Sequence, residues 1–443
     1  MGLASGFPWA MIGSAMSAWL AEEGISRSSI GFFGFIFIAY SINFLWSPFL
    51  DRIKLPLLGR LFGQRRAWII SMQLSIAACC WFISTIHPAS ELHYAQWIAF
   101  LLALSSATQD IAIDAFRIDS LPENDSDLMS AGSAMATAGW WTGFAGMGAL
   151  PLLLVDLDTW SWADVYQLMA LMMLLLMLVP LLAQEPETNR QLLQAQSRLK
   201  YQQFFAHNRL TQSGTLTDLS RFARMRESVN IWLLVSFVEP LTEFFKRNGV
   251  RLALSILLFI FLFKIGEAFL GRMSIVFYKE VGFSNSDIAT YSKIISWWVT
   301  ILFSLIGSLV TIRYGILRGL FIGGLAMASS NLMFALLAIY GANKGVLVAA
   351  VVIDGFTSAW STVAFVAFLS MMCNRAFTAS QYALMASLGT LGRTLLASYS
   401  GVLVDQLDGN WTLFFVLTAL MVLPSLILLY RIRHQIRAMG SEF

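Results

Sequence analysis

The chain has 443 residues, of which 57% are hydrophobic and 12% charged, with a mean hydropathy of +0.68. Water-soluble domains cannot bury that much apolar surface, so the composition indicates a polytopic membrane protein. A net charge of +3 is too small to suggest a nucleic-acid partner. The three cysteines, Cys79, Cys80 and Cys373, have neither a disulfide framework nor a zinc spacing, and the histidines fall in predicted loops or the tail. We therefore expect no metal and no cofactor.

Apolar windows of about 20 residues, the length that crosses ~30 Å of hydrocarbon, predict an all-α integral membrane protein with twelve transmembrane helices. The predicted spans lie near residues 2–20, 30–50, 67–86, 95–116, 129–154, 164–183, 251–277, 288–312, 315–340, 345–371, 380–404 and 411–430. No basic segment precedes the first span, so the sequence does not predict a cleavable signal peptide.

The positive residues predict the orientation of the chain. The even-numbered connections, which start with the one between the second and third spans, and the tail together hold 22 of the 29 Lys and Arg residues. The odd-numbered connections, on the opposite side of the membrane, hold three: Arg27, Lys279 and Lys344. Under the positive-inside rule, both termini are cytoplasmic. The remaining four lie inside predicted spans: Lys264, Arg272, Lys293 and Arg393.

One long polar segment, 184–250, divides the chain into an N-terminal bundle of six helices (1–183) and a C-terminal bundle of six (251–432). Within it, Ile231–Arg247 has the alternation of aromatic and charged residues expected of a helix lying flat on the membrane surface. The tail, 433–443, ends in Gly-Ser-Glu-Phe, which is typical of a cloning remnant. Two halves of six spans around a mid-membrane site are the architecture of major facilitator transporters.

The segment 107–119, ATQDIAIDAFRID, carries four charges at the end of an apolar helix. An ionised group at mid-bilayer costs about 2.5–3.5 kcal/mol even on insertion scales, so these residues need a function. Asp110 and Asp114 lie one turn apart on one helix face and can share a proton. Arg117 and Asp119 lie nearer the helix end, where a static charge relay with Arg52, Arg65 or Arg66 would hold a gate shut. That structural relay remains the alternative for the two aspartates as well.

A second group of charges lies in the C-terminal half. Lys264 and Glu267 have the i, i+3 spacing of a helical ion pair, and Asp354 and Arg393 lie at similar estimated depth. Two positive and two negative groups can neutralise one another, which reduces the desolvation cost of each. Glu267 is the predicted proton carrier, because a carboxylate beside a lysine can exchange partners on protonation. The alternative is an ion-pair network that only fixes helix packing.

Several blocks of the sequence resemble a known family. Phe44–Arg52, FLWSPFLDR, followed by Arg65 and Arg66, resembles the acidic and basic loop motif of major facilitator proteins, which adds Asp51 to the predicted gate. More narrowly, five blocks covering both halves resemble those of the AmpG-type anhydromuropeptide permeases: Gly2–Pro8, Phe44–Arg52, Ser106–Asp119, Phe263–Phe269 and Cys373–Arg393. One departure is Glu267, where the family usually has Asp.

The resemblance implies a secondary transporter, not an enzyme. It would import GlcNAc-1,6-anhydro-MurNAc and its peptides from periplasm to cytoplasm across the bacterial inner membrane by alternating access, driven by the proton gradient. The expected partners are this sugar-peptide substrate and the lipid bilayer, and the expected state is a monomer. For such a cargo, Trp141 and Trp360 could stack on sugar rings, and Asn43 and Gln109 could bond hydroxyls, although most membrane tryptophans serve packing. Lys264, Asp354 and Arg393 would face its charged groups.

Two other functions stay open at this stage. The eukaryotic acetyl-CoA transporters are similar to these permeases, chiefly in the QDIA block, so the same fold could carry another bulky anion. The Asp110–Asp114 spacing also matches the magnesium site of intramembrane prenyltransferases of the UbiA type. That enzyme would need a second facing acidic cluster, and the sequence offers only Asp354 and the peripheral pair Asp405 and Asp408.

Overall fold

A computed structural model describes residues 1–25, 34–88, 90–122, 125–155, 157, 159–187, 190–213, 221–284 and 287–439. In the described part of the first half, six helical elements follow one another, besides the short helix Leu58–Leu61. They are α1 (Gly2–Ala10, Met11–Ala15 and Met16–Glu22), α2 (Gly34–Phe37, Ile38–Ile42, Asn43–Leu45 and Ser47–Arg52), α3 (Gln64–Ile83), α4 (Leu92–Ser120), α5 (Ser126–Trp141, Thr142–Met147 and Gly148–Val155) and α6 (Trp162–Leu176 and Leu178–Leu182).

Two linker helices and a second set of six elements complete the described chain. The linker helices are α7 (Arg190–Ser213) and α8 (Arg221–Leu233, Leu234–Val238 and Glu239–Asn248). The second half contains α9 (Val250–Leu262 and Ile265–Val281), α10 (Ile288–Ile294 and Ile295–Tyr314), α11 (Ile316–Tyr340), α12 (Lys344–Met371), α13 (Thr378–Ala397 and Ser400–Gln406) and α14 (Trp411–Leu420 and Leu423–Met439). Each predicted span falls on one of these elements, although the one near 30–50 begins outside the described residues.

Among the described helices, ten are long and apolar enough to cross a membrane. They do not include α1, α2 and α13. They do include Met225–Asn248, which the sequence predicts to lie on the surface. The contacts of this segment, described below, are with the ends of α2, α12 and α13 and with α7.

Each half buries its own apolar core. In the first half, Met11 of α1, Ile76 of α3, Leu102 of α4 and Tyr166 of α6 lie in one cluster with less than 2% of their surface exposed. In the second half, aromatic side chains of α9, α11 and α14 form a comparable core, including Phe277, Phe334 and Phe415. Two further buried clusters contain side chains of both halves, so the halves also share part of their core.

Small residues let neighbouring helices approach closely. A Cβ on Gly143 would lie 2.2 Å from the carbonyl oxygen of Leu3 in α1, so only glycine fits there. On another side of α5, Gly146 faces Trp297 of α10 in the other half. The two halves therefore meet along α5 and α10, and along α2 and α13. We call the end of the bundle that α8 contacts the linker end.

Candidate functional site

Three of the predicted gate residues form one buried ion-pair cluster at the linker end. Arg65 Nη2 lies 2.8 Å from Asp51 Oδ1, and Arg65 Nε lies 2.9 Å from Asp119 Oδ2. All three side chains have at most 1% of their surface exposed. Arg65 presents its planar fork to two carboxylates, which satisfies the charges of all three groups inside the protein.

The same two carboxylates also bind the second half of the protein. Asp51 accepts hydrogen bonds from the backbone N–H of Ser380 at 2.9 Å and of Ala379 at 3.2 Å, and from the Ser380 hydroxyl at 2.6 Å. Asp119 accepts one from the Thr378 hydroxyl at 2.7 Å. Asp51 thus caps the N-terminus of α13 from another helix, where the unpaired N–H groups and the helix dipole favour an anion.

Arg52 and Arg66, which the sequence also places in the relay, lie apart from this cluster. Arg52 Nη2 donates to the Val235 carbonyl of α8 at 2.7 Å. Arg66 donates to the carbonyls of Pro180 and Leu181, each at 2.6 Å, at the end of α6. Arg66 therefore holds the end of α6 and Arg52 holds α8, whereas Arg65 pairs with both predicted acidic residues of the gate.

Arg117 makes a second connection between the halves, nearer the middle of the bundle. Its Nη2 lies 3.1 Å from Asp114 Oδ1 and 3.2 Å from the Ser370 hydroxyl of α12. Its guanidinium also lies over the ring of Tyr382 in α13, 5.8 Å from the centroid. The Asp114 side chain is 28% exposed and that of Arg117 11% exposed. A carboxylate that is open to solvent is therefore tied, through one arginine, to the other half.

Asp110 and Gln109 contact α1. Asp110 accepts a hydrogen bond from Ser5 at 2.5 Å, and the fully buried Gln109 amide donates to the Ala4 carbonyl at 2.7 Å. Gln109 thus faces the packing interface between α1 and α4. Its carbonyl oxygen has no hydrogen-bond partner among the described residues.

The predicted pair in the second half forms at a break in its helix. Phe263 and Lys264 interrupt α9, and Lys264 occupies the N-cap position of the following segment. Lys264 Nζ lies 2.5 Å from Glu267 Oε2 and donates to the Thr362 hydroxyl of α12 at 2.7 Å. The Lys264 side chain is 4% exposed, whereas that of Glu267 is 29% exposed. A buried ammonium therefore holds a carboxylate that solvent can reach.

Asp354 and Arg393 surround this pair without joining it directly. Asp354 accepts a hydrogen bond from the Ser330 hydroxyl of α11 at 2.9 Å and interacts electrostatically with Glu267 and Lys264. Arg393 donates within its own helix, to the Gly389 carbonyl and the Thr390 hydroxyl, and interacts electrostatically with Glu267. The four predicted charges thus form one electrostatic group.

The candidate cargo-binding side chains have different surroundings. Trp141 is partly buried in an aromatic group on the first half, which continues through Trp140 to Trp9 and Tyr40. Trp360 is 7% exposed, and its indole N–H donates to Thr311 at 3.2 Å, so it packs between α10 and α12.

Asn43, the remaining predicted substrate contact, lies between the halves. Its side-chain carbonyl accepts a hydrogen bond from the Ser387 hydroxyl of α13 at 2.9 Å. This bond between two neutral side chains also joins α2 to α13, in addition to the ionic cluster. The structure thus places Asn43, Gln109 and Trp360 in contacts between helices and leaves Trp141 in an aromatic surface.

Sequence reasoning missed several neutral partners of the charged residues. They are the hydroxyls of Ser5, Thr362, Ser370, Thr378 and Ser380. It also missed Arg375, which donates to the carbonyls of Ile118 and Leu121, and Trp9 in the aromatic group. The only available signal was position: Thr378 and Ser380 stand in the first turn of a predicted helix, inside a block that resembles the family.

The prenyltransferase interpretation requires acidic residues grouped around a metal. Ser5 and Arg117 bind the two aspartates of the Asp110–Asp114 pair separately. Within the described part of the chain, no three His, Cys, Asp or Glu side chains are arranged so that they could hold a metal ion. The geometry therefore gives the enzyme interpretation no support.

Comparisons with known proteins identify the family. The family model described as "Major Facilitator Superfamily" matches residues 1–297 of this chain. The anhydromuropeptide permease of Escherichia coli K12 is 31% identical over 431 residues, which cover 97% of this chain and 77% of that protein. The protein named AmpG 4 of Rickettsia conorii is 29% identical over 433 residues, covering 97% of this chain and 94% of its own.

A solved structure has the same fold. The Escherichia coli fucose:proton symporter FucP superposes with a TM-score of 0.65 at 14% sequence identity, covering 97% of each chain. The relatives are transporters, so the prenyltransferase interpretation is wrong. The chain belongs to the major facilitator superfamily, as a multi-pass membrane transporter of the AmpG-type permease group.

Proposed function

We propose that this transporter imports GlcNAc-1,6-anhydro-MurNAc and its peptides from the periplasm to the cytoplasm of a bacterium, together with protons. The observation that carries the choice of cargo is the 31% identity to the Escherichia coli anhydromuropeptide permease along 97% of this chain. The resemblance covers both halves, which is what a cargo site between two bundles requires.

The distribution of positive residues supports the proposed orientation of the protein in the membrane. Ten of the Lys and Arg residues lie between 190 and 251, so the positive-inside rule places the linker end in the cytoplasm. The bonds of Asp51 and Asp119 to α13 then close the cytoplasmic side in this structure. Cargo would reach the middle of the bundle from the periplasmic side in this state.

The Lys264–Glu267 pair supports proton coupling. Glu267 is exposed enough to receive a proton from solvent, and its partner Lys264 is almost fully buried. Protonation of Glu267 would leave the Lys264 ammonium without its nearest anion. The free energy of this state would be high, because a buried charge that loses its partner is costly. Asp354, within electrostatic range, is the anion that could replace it. A proton would therefore change the charge pairing between α9 and α12.

Arg117 provides a route from a proton to the gate. While Asp114 is ionised, it orients the Arg117 guanidinium toward Ser370 and Tyr382 of the other half. Protonation of Asp114 would weaken the ion pair, and with it one of the contacts that keep the linker end closed. Proton binding would in this way favour opening toward the cytoplasm. The proton would act as a ligand that binds the open state more tightly than the closed state and so shifts the population toward it.

Uptake into right-side-out membrane vesicles tests this proposal. Radiolabelled GlcNAc-anhydro-MurNAc-tripeptide should accumulate in vesicles that contain the protein, and a protonophore should collapse the accumulation. Vesicles without the protein are the control. No uptake above that control would contradict the proposed cargo, and accumulation that survives the protonophore would contradict the coupling.

The alternative cargo is tested in the same assay. Excess unlabelled acetyl-CoA should leave uptake unchanged, whereas unlabelled disaccharide should suppress it. Uptake of labelled acetyl-CoA in place of the muropeptide would show that the fold is shared and the cargo is different.

A further inference from the structure

An apolar cavity lies at the linker end, outside the charged groups described above. It has a volume of about 180 Å³ and lies between α2, α8, α9 and α13. Phe44, Pro48, Leu241, Leu257 and Met385 are among the side chains that line it. Leu257 lies seven residues into α9, about 10 Å along the helix axis, so the cavity extends to the depth of lipid acyl chains.

The rim of this cavity is open at its side. Leu45 and Leu241, which both line it, are 52% and 41% exposed. Apolar cavities are poor sites for water, because a buried water needs several polar partners, and they accept apolar molecules instead. The apolar molecule available beside a membrane protein at this depth is a phospholipid acyl chain.

A second cavity, of about 590 Å³, adjoins the first on the linker side. Arg52 of α2, Arg198 of α7 and Trp232 of α8 line it, and Ser236 lines both cavities. Arg52 uses one nitrogen to bond Val235, which leaves further N–H groups of its guanidinium for other acceptors. Two arginines beside a tryptophan at the membrane surface suit an anionic headgroup.

Ser236, at the junction of the two cavities, carries a polar group that lacks a partner. Its side-chain hydroxyl is buried and forms no hydrogen bond within the part of the chain that the structure describes, and the residue is 1% exposed. Buried hydroxyls normally find an acceptor. In a phospholipid, the ester oxygens stand between headgroup and acyl chains, which is where Ser236 stands between the two cavities.

We infer that these joined cavities bind one anionic phospholipid from the leaflet at the linker end. Its phosphate would contact Arg52 and Arg198, its ester oxygens Ser236, and one acyl chain would fill the apolar cavity. The site goes beyond the proposed cargo transport, because it lies between the linker helices and the outer surface of α2 and α13. Binding there would hold α8 against both halves.

Native mass spectrometry of the delipidated full-length protein, titrated with phosphatidylglycerol or phosphatidylcholine of identical chains, tests this inference. Arg198→Gln removes a surface charge at the headgroup position, and Leu241→Trp fills the apolar cavity from its rim. The matched controls are Arg221→Gln on the same linker and Leu254→Trp, an exposed leucine of α9 that does not line the cavity.

We expect phosphatidylglycerol to bind more tightly than phosphatidylcholine, and Arg198→Gln to weaken its binding about fivefold, the contribution of one basic residue near a membrane surface. Leu241→Trp should weaken both lipids, and the two controls should bind like the unmodified protein. Equal affinity for the two lipids would overturn the inference. So would a loss in only one of the two test variants, because the inference needs headgroup and chain together. Displacement of the lipid by unlabelled disaccharide-peptide would instead assign the cavities to cargo and overturn it as well.

Discussion

At the scale of single residues, the chain resolves the cost of intramembrane charge by pairing. Arg65 pairs with two carboxylates. Arg117 pairs with one carboxylate and contacts Ser370 and Tyr382, and Lys264 bonds Glu267 and Thr362. Of these three groups, the two in the middle of the bundle each have a partly exposed carboxylate, Asp114 or Glu267, which can exchange protons with water. The buried pairs at the linker end are suited to holding the halves together.

Glu267→Gln should abolish proton-driven accumulation while leaving cargo binding within about tenfold, or ~1.4 kcal/mol. The amide keeps the size and a hydrogen-bond acceptor for Lys264 but cannot take up a proton. Accumulation is measured in vesicles and binding by calorimetry on purified protein. Glu91→Gln, at an exposed carboxylate before α4, is the control. Unchanged accumulation in Glu267→Gln would remove this residue from the mechanism.

Asp114→Asn should slow transport because it weakens the ion pair through which Arg117 reaches Ser370. Initial uptake rate and thermal stability are measured together, with Asp405→Asn at an exposed position as the control. A fall in melting temperature with an unchanged rate would instead assign Asp114 to the static relay.

At the scale of elements, α13 depends on the other half for its N-terminal cap. The residue preceding the helix, Phe377, offers no side-chain cap, and the carboxylate of Asp51 fills that role across the interface. This arrangement couples the stability of one helix to the closed state of the gate, because opening the linker end removes the cap.

Asp51→Asn should lower thermal stability and weaken closure of the linker end. Breaking a buried ion pair by removing one partner costs about 3–5 kcal/mol, whereas an exposed first-turn aspartate contributes about 0.3–1 kcal/mol. Asp127→Asn at the start of α5 is therefore the matched control. The melting temperature in detergent provides the readout, and equal losses in the two variants would show that Asp51 does not bridge the halves.

The linker helices form a further element at this end. Glu243 of α8 accepts hydrogen bonds from Asn374 and Gln381, and Arg247 donates to the Met372 carbonyl. On the other side, Lys200 and Tyr201 of α7 bond Glu239 of α8. Burial, followed by the bond to Glu239, raises the pKa of Tyr201 to about 12, so its phenol stays a donor at neutral pH. The linker therefore contacts the gate and does not simply connect the halves.

The sequence allowed prediction of the helices and of the charged residues that need partners, but not of the partners. Apolar windows are sufficient for the spans because the bilayer fixes their length. A buried arginine such as Arg65 favours a carboxylate as its partner, so the sequence limited its predicted partners to a few acidic residues. Thr362, Ser370 and Thr378 carry no such requirement, since hydroxyls bond their own helix as readily as another. Gln109 and Trp360 stay predicted cargo contacts, although both pack between helices in this structure, because residue type does not reveal which helix face a side chain occupies.

At the scale of the whole molecule, alternating access requires that the contacts between α2 and α13 break and re-form during each cycle. The bond between Asn43 and Ser387 crosses this interface at 2.9 Å. In contrast, the hydroxyl oxygens of Ser75 in α3 and Ser105 in α4 lie 2.8 Å apart within one half.

A cross-link between α2 and α13 should therefore stop transport. In a background with Cys79, Cys80 and Cys373 replaced by serine, we expect oxidation of the Asn43→Cys, Ser387→Cys variant to abolish uptake and reduction to restore it. The Ser75→Cys, Ser105→Cys variant should cross-link and remain active. Full uptake by the cross-linked Asn43→Cys, Ser387→Cys variant would mean that the halves do not separate here.

The central claim is that cargo and protons cross together, and the most direct measurement follows both in one experiment. Labelled GlcNAc-anhydro-MurNAc-tripeptide is added outside lightly buffered proteoliposomes that contain the protein oriented with its linker end inside. We predict that the external pH rises as the label enters, and that Glu267→Gln liposomes show no rise. Entry of the label with no change in external pH would contradict proton-coupled import.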